Sequence, residues 1–317
     1  MAPSLSVYTM ATAGNLSDPN LAGNIRRCSN FFVTYYLDSP AKGIHMYLIV
    51  AVGVLNVFLS FLGTFANILV LTAYATNNRL KNMANMLLMT LACSDLLVTA
   101  LVQPLYVVEI IKKNIGSYNC LLSTIARFVT YFACGVSVLT LVIITAERFI
   151  TLAYPFRYQT ILTPTRLKIV VASTWLAVFT LIVSHLGLVP FDVLMFIGAS
   201  LLAMSVVIVV SMWLWIHRQM QRHRNVIEST RMSSDVNRAQ VFRNTKTIYL
   251  VVAIVLLCYF PALLMMLYYA NDPSSFVLLF LINPLSDTLM FANSSLNPML
   301  VLWRKRNYME TVRKFFV

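Results

Sequence analysis

The sequence predicts an all-α membrane protein, a bundle of seven transmembrane helices followed by a short amphipathic cytoplasmic helix. Composition points there first. Of 317 residues, 59% are hydrophobic and 11% charged, against roughly 45–50% and 25% in soluble domains, so water is not the main solvent. Length points the same way, because apolar runs of the roughly 20 residues needed to cross a hydrocarbon core about 30 Å thick recur along the chain. The third observation is where the basic residues fall between those runs.

The runs lie at 46–75, 83–111, 119–152, 166–187, 190–216, 247–270 and 276–303. The fourth and fifth are the hardest to part. The stretch from Ile169 to Ile216 exceeds a single span and is interrupted only by His185, Gly187, Pro190 and Asp192, which mark the turn. The predicted organisation is an outer tail over 1–45, a bundle over 46–303 and an inner amphipathic segment over 304–317. No internal repeat or second soluble domain is visible, so a ligand site has to be built mainly from the bundle. The near-absent loop between spans four and five offers no lid on that side.

The net charge of +13 is distributed as topology, not as a nucleic-acid surface. With the amino terminus outside, the inner side receives Arg79, Lys81, Arg148, Arg157, Arg166, Lys168, seven basic residues from Arg218 to Lys246, and Arg304, Lys305, Arg306, Arg313 and Lys314. This is the positive-inside asymmetry, with the bilayer and a cytoplasmic partner as the expected contacts. The first 45 residues carry no apolar signal-peptide core, so the first span is expected to act as the insertion signal. Asn15 opens an Asn15-Leu16-Ser17 glycosylation triplet on the outer side, whereas Asn293-Ser294-Ser295 falls within a span. Cys93, Cys134 and Cys258 sit in spans, where a thiol is an apolar side chain. Cys28 and Cys120 lie on the oxidising side and are the disulfide candidates, although two cysteines fix no geometry.

Charged and polar residues inside spans are costly and therefore carry functional weight. In chain order they form Gly63-Thr64-Phe65-Ala66-Asn67, Leu91-Ala92-Cys93-Ser94-Asp95, Ala146-Glu147-Arg148-Phe149 with Tyr154-Pro155-Phe156-Arg157-Tyr158 after it, Trp175, Cys258-Tyr259-Phe260-Pro261, and Asn293-Ser294-Ser295-Leu296-Asn297-Pro298. Six motifs in register over about 46–316 resemble the signature set of the rhodopsin-like (class A) G-protein-coupled receptors.

That resemblance implies roles. Glu147, Arg148 and Phe149 would form the coupling site for a heterotrimeric G protein. Tyr259, Pro261 and Pro298 would act as the switch, since a proline kinks its helix. Asp95, Ser137, Asn293 and Asn297, with Asn67 nearby, match an allosteric sodium site, and oxygen donors suit a hard cation. The alternative for Asp95 is a protonated carboxyl in a hydrogen-bond network. No other cofactor is expected. The family's acidic partner for Arg148 falls near Val241, which cannot accept a hydrogen bond.

Departures constrain the ligand. Phe291 stands at the retinal-lysine position, so no Schiff base to retinal forms. Thr130 stands where amine receptors carry an aspartate, which removes a counter-ion for a monoamine. Tyr259 replaces the usual Trp and Val301 the usual Tyr. Residues 184–191 hold no cysteine, and span five holds no proline. The short second loop, the absent loop-two bridge and the absent proline in span five look like the melanocortin, cannabinoid and lysophospholipid branch, which Val301 does not fit. At the outer mouth Glu109, Arg127 and Asp287 join Thr130 as ligand-binding candidates. Arg127 suits an anionic head group, and the two carboxylates suit a basic peptide. Pairing of Arg127 with Glu109 or Asp287 is the internal alternative. Mixed charge favours a peptide over a lipid or another small chemosensory ligand.

After span seven, Tyr308, Val312, Phe315 and Phe316 set among basic residues predict a helix lying at the membrane surface. Ser229, Thr230, Ser233 and Ser234 are candidates for phosphorylation. A transporter would show related halves with broken helices, and neither is present. An intramembrane enzyme would need a nucleophile with its base, or a metal cluster. His45, His185, His217 and His223 all lie near membrane ends without zinc spacing, so no enzyme is expected.

Overall fold

In the computed structural model, residues 25–28, 34–37, 40, 42–154, 156–185, 189–229, 254, 256–268 and 277–315 are described. Asn15, Thr230, Ser233, Ser234, Val241 and Phe316 lie outside them.

The spans are α1 (Ile44–Thr76), α2 (Met83–Asn114), α3 (Cys120–Ala153), α4 (Pro164–Ser184), α5 (Phe191–Ser229), α6 (Leu256–Tyr268) and α7 (Asn283–Arg304), followed by α8 (Arg306–Arg313). By length and composition, five of the described helices can cross a membrane: α1 to α4 and the Phe191–Gln219 part of α5. Local chemistry starts several helices where they begin. The Asn82 side chain accepts from the Asn85 N–H at the head of α2, and Asn119 accepts from the N–H groups of Leu121 and Leu122 at the head of α3. Thr163 caps α4 with Pro164 just after it, where a missing N–H costs nothing.

Two spans are interrupted by π turns, at Val98–Val102 within α2 and at Leu278–Ile282 before α7. Each is followed by an amide residue and a proline, Gln103-Pro104 and Asn283-Pro284. A ring that cannot donate to the preceding turn accounts for the local widening in both.

α1 packs against α2 and α7, and α3 against α2, α4 and α5. Gly63 permits the first of these approaches. A Cβ there would stand 2.5 Å from the Thr99 methyl and 3.0 Å from the Ser295 Cα. The central apolar cluster, with Val102, Tyr106, Ala133, Tyr259, Met290 and Phe291, joins α2, α3, α6 and α7. Trp175 of α4 meets Phe132 of α3 edge to face, 6.0 Å between centroids.

The segment before α1 has structure of its own. Ile25–Cys28 (β1) and Thr34–Leu37 (β2) pair as an antiparallel hairpin. Leu37 is buried, and Tyr36 stacks on Tyr118 at 4.4 Å between centroids. β2 packs on the Gln103–Asn114 end of α2. α2 also runs past its expected end at 111 to Asn114, and α5 continues past 216 to Ser229. The terminal helix differs too. Tyr308 and Val312 turn their apolar surface toward Val70, Ala73 and Leu80 of the bundle instead of toward lipid, while Phe315 is exposed. Val301 packs against this same cluster, which gives the substituted position an apolar role.

Candidate functional site

Candidate functional side chains occur at three depths. At the end of the bundle where β2 packs, expected to face outward, Arg127 of α3 bridges two other spans. Its Nη2 lies 3.3 Å from Glu109 Oε1 on α2, and its Nη1 lies 3.6 Å from Asp287 Oδ2 on α7. Of the readings open to Arg127, the structure therefore realises internal pairing, and with both carboxylates at once. Ser123 donates to Glu109 at 2.9 Å, and the Asn283 amide donates to Asp287 at 3.2 Å. Lys113 is a fourth buried charge within electrostatic range of the other three, its ammonium 5.3 Å from the centre of the Phe280 ring. Sequence reasoning missed Lys113, although Glu109 and Lys113 sit four apart and so share a helical face. Thr130 is buried one turn below Arg127, and its hydroxyl donates to the Ala126 carbonyl of its own helix.

Beside this cluster, a second polar group joins three spans. The Asn56 amide of α1 donates to Thr288 Oγ1 of α7 at 2.8 Å and accepts from the Gln103 amide of α2 at 3.4 Å. Thr288 in turn donates to the Pro284 carbonyl. Gln103 directly follows the first π turn, and Thr288 lies next to Asp287 in sequence.

At mid-membrane, Asp95 has no exposed surface. One carboxylate oxygen accepts from Ser137 at 2.7 Å and the other from Asn297 at 2.9 Å. Asn293 is aimed elsewhere, its amide donating to the Tyr259 hydroxyl at 3.0 Å. The residue that replaces Trp thus ties α6 to α7 through a group that Trp lacks. Asn67 donates to the carbonyls of Gly63 and Ser294, next to this network. The buried side-chain oxygens of Asn67 and Asn293 accept no hydrogen bond, so the oxygen set fits a hard cation. Pro298 lies inside α7, and Pro261 lies inside α6.

At the opposite end, expected to face inward, a cavity of about 790 Å³ is lined by Arg148, Trp213, Asn297, Val301, Arg304 and Lys305, among other residues. Arg148 Nε lies 3.3 Å from Glu147 Oε2, with the Arg148 side chain 46% exposed and that of Glu147 only 9%. Phe149 packs on Trp215 of α5 at 4.6 Å between centroids. Lys305 donates to the Asn85 side chain across the cavity floor. Burial, then the neighbouring Arg148 and Arg304 charges, lower the Lys305 ammonium to about 8. Burial raises the Tyr308 phenol to about 12.

Cys120 is disulfide-bonded, and Cys93, Cys134 and Cys258 are free thiols. Among the described residues, no group of three or more His, Cys, Asp or Glu side chains is arranged to hold a metal ion.

Residues 66–193 match the model of the 7 transmembrane receptor (rhodopsin family). The chain is similar to the muscarinic acetylcholine receptor M3 of Mus musculus, 26% identical over 181 residues, which are 56% of this chain and 30% of that receptor. It is similar to the M3 receptor of Bos taurus, 28% identical over 171 residues, 53% of this chain and 26% of that receptor. It is also similar to the M5 receptor of Rattus norvegicus, 28% identical over 135 residues, 42% of this chain and 25% of that receptor. The matches thus span less than a third of these relatives' length, and they lend no support to the melanocortin, cannabinoid or lysophospholipid branch. Motif order, helix packing and the match over residues 66–193 agree in making this multi-pass membrane chain similar to the rhodopsin-like (class A) seven-transmembrane receptors.

Proposed function

We propose that the chain transduces the binding of an extracellular ligand to a heterotrimeric G protein, in the plasma membrane, with its amino terminus outside and its carboxyl terminus inside. The observation that carries this reading is Arg148. Its guanidinium is half exposed on the wall of the inner cavity while still ion-paired with Glu147, so a partner entering the cavity can reach the guanidinium and hydrogen-bond to it. Tyr259, Pro261 and Pro298 form the switch between the mid-membrane network and that cavity. Asp95, Ser137, Asn297, Asn293 and Asn67 hold a sodium ion that favours the resting state, and Cys28 is the partner of Cys120 outside. Asn15 carries a glycan.

The ligand named in the muscarinic relatives is not transferred here. Thr130 supplies no counter-ion, and its hydroxyl is already engaged with its own helix. A ligand at the outer end meets Glu109, Arg127 and Asp287 as a preassembled ion-pair cluster.

Ligand-free signalling across a panel of G-protein biosensors tests the coupling, in cells expressing wild type or Arg148→Ala at matched surface levels. Wild-type activity in at least one channel, reduced tenfold or more by Arg148→Ala, is the expected result. Equal signalling by both proteins would reject it.

A further inference from the structure

We infer that the outer cluster takes a small zwitterion, an amino-acid-like molecule with one ammonium and one carboxylate. This rests on the receptor reading only in placing the ligand on the outer side. The reasoning begins with charge. Glu109, Asp287, Arg127 and Lys113 contribute two negative and two positive formal charges, all within electrostatic range of one another and all largely removed from water. A buried group of this kind is stable only while each charge has its partner.

A ligand with a single charge breaks that balance. A pure cation could take Asp287 from Arg127, but it would leave the buried group with one excess positive charge. A pure anion could take Arg127 and would leave one excess negative charge. A zwitterion inserts its ammonium toward Asp287 and its carboxylate toward Arg127, and the group stays neutral. Preassembled ion pairs thus select a ligand that is itself an ion pair, whereas a lone aspartate selects an amine.

The geometry names the contact that opens. Arg127–Glu109 is the shorter pair at 3.3 Å, and the Glu109 side chain is only 3% exposed. Arg127–Asp287 is longer at 3.6 Å, and its two side chains are 13% and 11% exposed. Glu109 is further held by Ser123. Arg127 therefore keeps Glu109 and releases Asp287. The adjoining cavity between Lys113, Arg127 and Asn283 is about 10 Å³, room for about one water, so ligand entry has to part this ion pair.

The test is binding to purified full-length receptor, read as ligand-induced thermal stabilisation, with three matched probe sets. These are free amino acids (α-amino acids and short ω-amino acids), their methyl esters as cations, and their N-acetyl derivatives as anions. For wild type, at least one free amino acid is expected to bind tenfold or more tighter than its ester and its N-acetyl form. Asp287→Asn leaves the site one positive charge in excess and should move the preference to the N-acetyl anion. Arg127→Gln should move it to the ester. Arg127→Gln/Asp287→Asn keeps the group neutral if either single variant fails to fold, and should lose free amino acid binding tenfold or more. No binding by any free amino acid, a wild-type preference for a singly charged probe, or zwitterion binding unaffected in the double variant would each overturn the inference. The assay contains no G protein, so binding without biosensor response would count against coupling and leave the ligand class standing.

Discussion

The outer and middle depths of this bundle hold buried carboxylates in opposite ways. Outside, Glu109 and Asp287 are matched by Arg127 and Lys113, and each charge is answered by another charge. At mid-membrane, Asp95 is answered by neutral donors, Ser137, Asn297 and Ser294. A self-neutralised cluster resists the removal of any one member, because its partners then remain buried and uncompensated. A lone carboxylate tolerates neutralisation and invites a proton or a cation. The first arrangement is a lock between helices, and the second is a socket.

The largest expected effect follows from breaking the lock. Glu109→Gln leaves Arg127 and Lys113 facing Asp287 alone, and loss of one partner of a buried pair costs about 3–5 kcal/mol. The midpoint of thermal unfolding in detergent should fall accordingly, and Glu109→Gln/Lys113→Met should recover much of the loss by restoring neutrality. No recovery in the double variant would mean that the cluster does not act as one electrostatic unit.

Neutralising the socket should do less to the fold. In Asp95→Asn the amide oxygen can still accept from Ser137, so the unfolding midpoint in sodium-free buffer should change little, by about 1 kcal/mol or less. Stabilisation by added sodium, measured against an equal concentration of potassium or N-methylglucamine, should be present in wild type and absent in the variant. If Asp95→Asn destabilised the protein as strongly as Glu109→Gln, the contrast between lock and socket would fail.

How much of this was legible in the sequence depends on the scale of the signal. Seven spans, the order of the motifs and the three charged residues at the outer mouth could be read directly, because charges in apolar runs are rare. The double grip of Arg127 could not. Pairing across three helices is set by helix rotation, and Glu109, Arg127 and Asp287 are far apart in the chain. Lys113 was hidden because a lysine at a span end reads as one reaching for the interface. The Asn56–Gln103–Thr288 chain was hidden because amides and hydroxyls are scattered along many spans, and only depth and facing direction make these three a unit. The hairpin did have a signal. Thr34-Tyr35-Tyr36-Leu37 is rich in residues favoured in strands, but the polar tail around it obscured the pattern.

The link between socket and switch gives a moderate prediction. Tyr259→Phe keeps the ring in the central apolar cluster and removes only the hydroxyl that accepts from Asn293, a change of about 1 kcal/mol. A double-mutant cycle with Asn293→Ala, read on unfolding midpoints, should return coupling of similar size. Additivity of the two single changes would mean that the substituted Tyr does not tie α6 to α7.

The smallest expected effect lies at the inner end, where Lys305 supplies a third way of holding charge, partly buried among other cations. Its ammonium is lowered to about 8, first by burial and then by Arg148 and Arg304, whereas in an unfolded chain it would titrate near the usual lysine value of about 10.4. Between those values the unfolded chain binds more protons, so this group makes the folded protein more stable as pH rises from about 8 toward 10. Below about 8 its unfavourable contribution is fully present and constant. Contact with solvent at the cavity screens the effect. Wild type should therefore gain stability with pH relative to Lys305→Met over that window and run parallel to it below. Divergence of the two proteins below pH 7 instead would assign the titration to another group and remove Lys305 from the charged floor of the cavity.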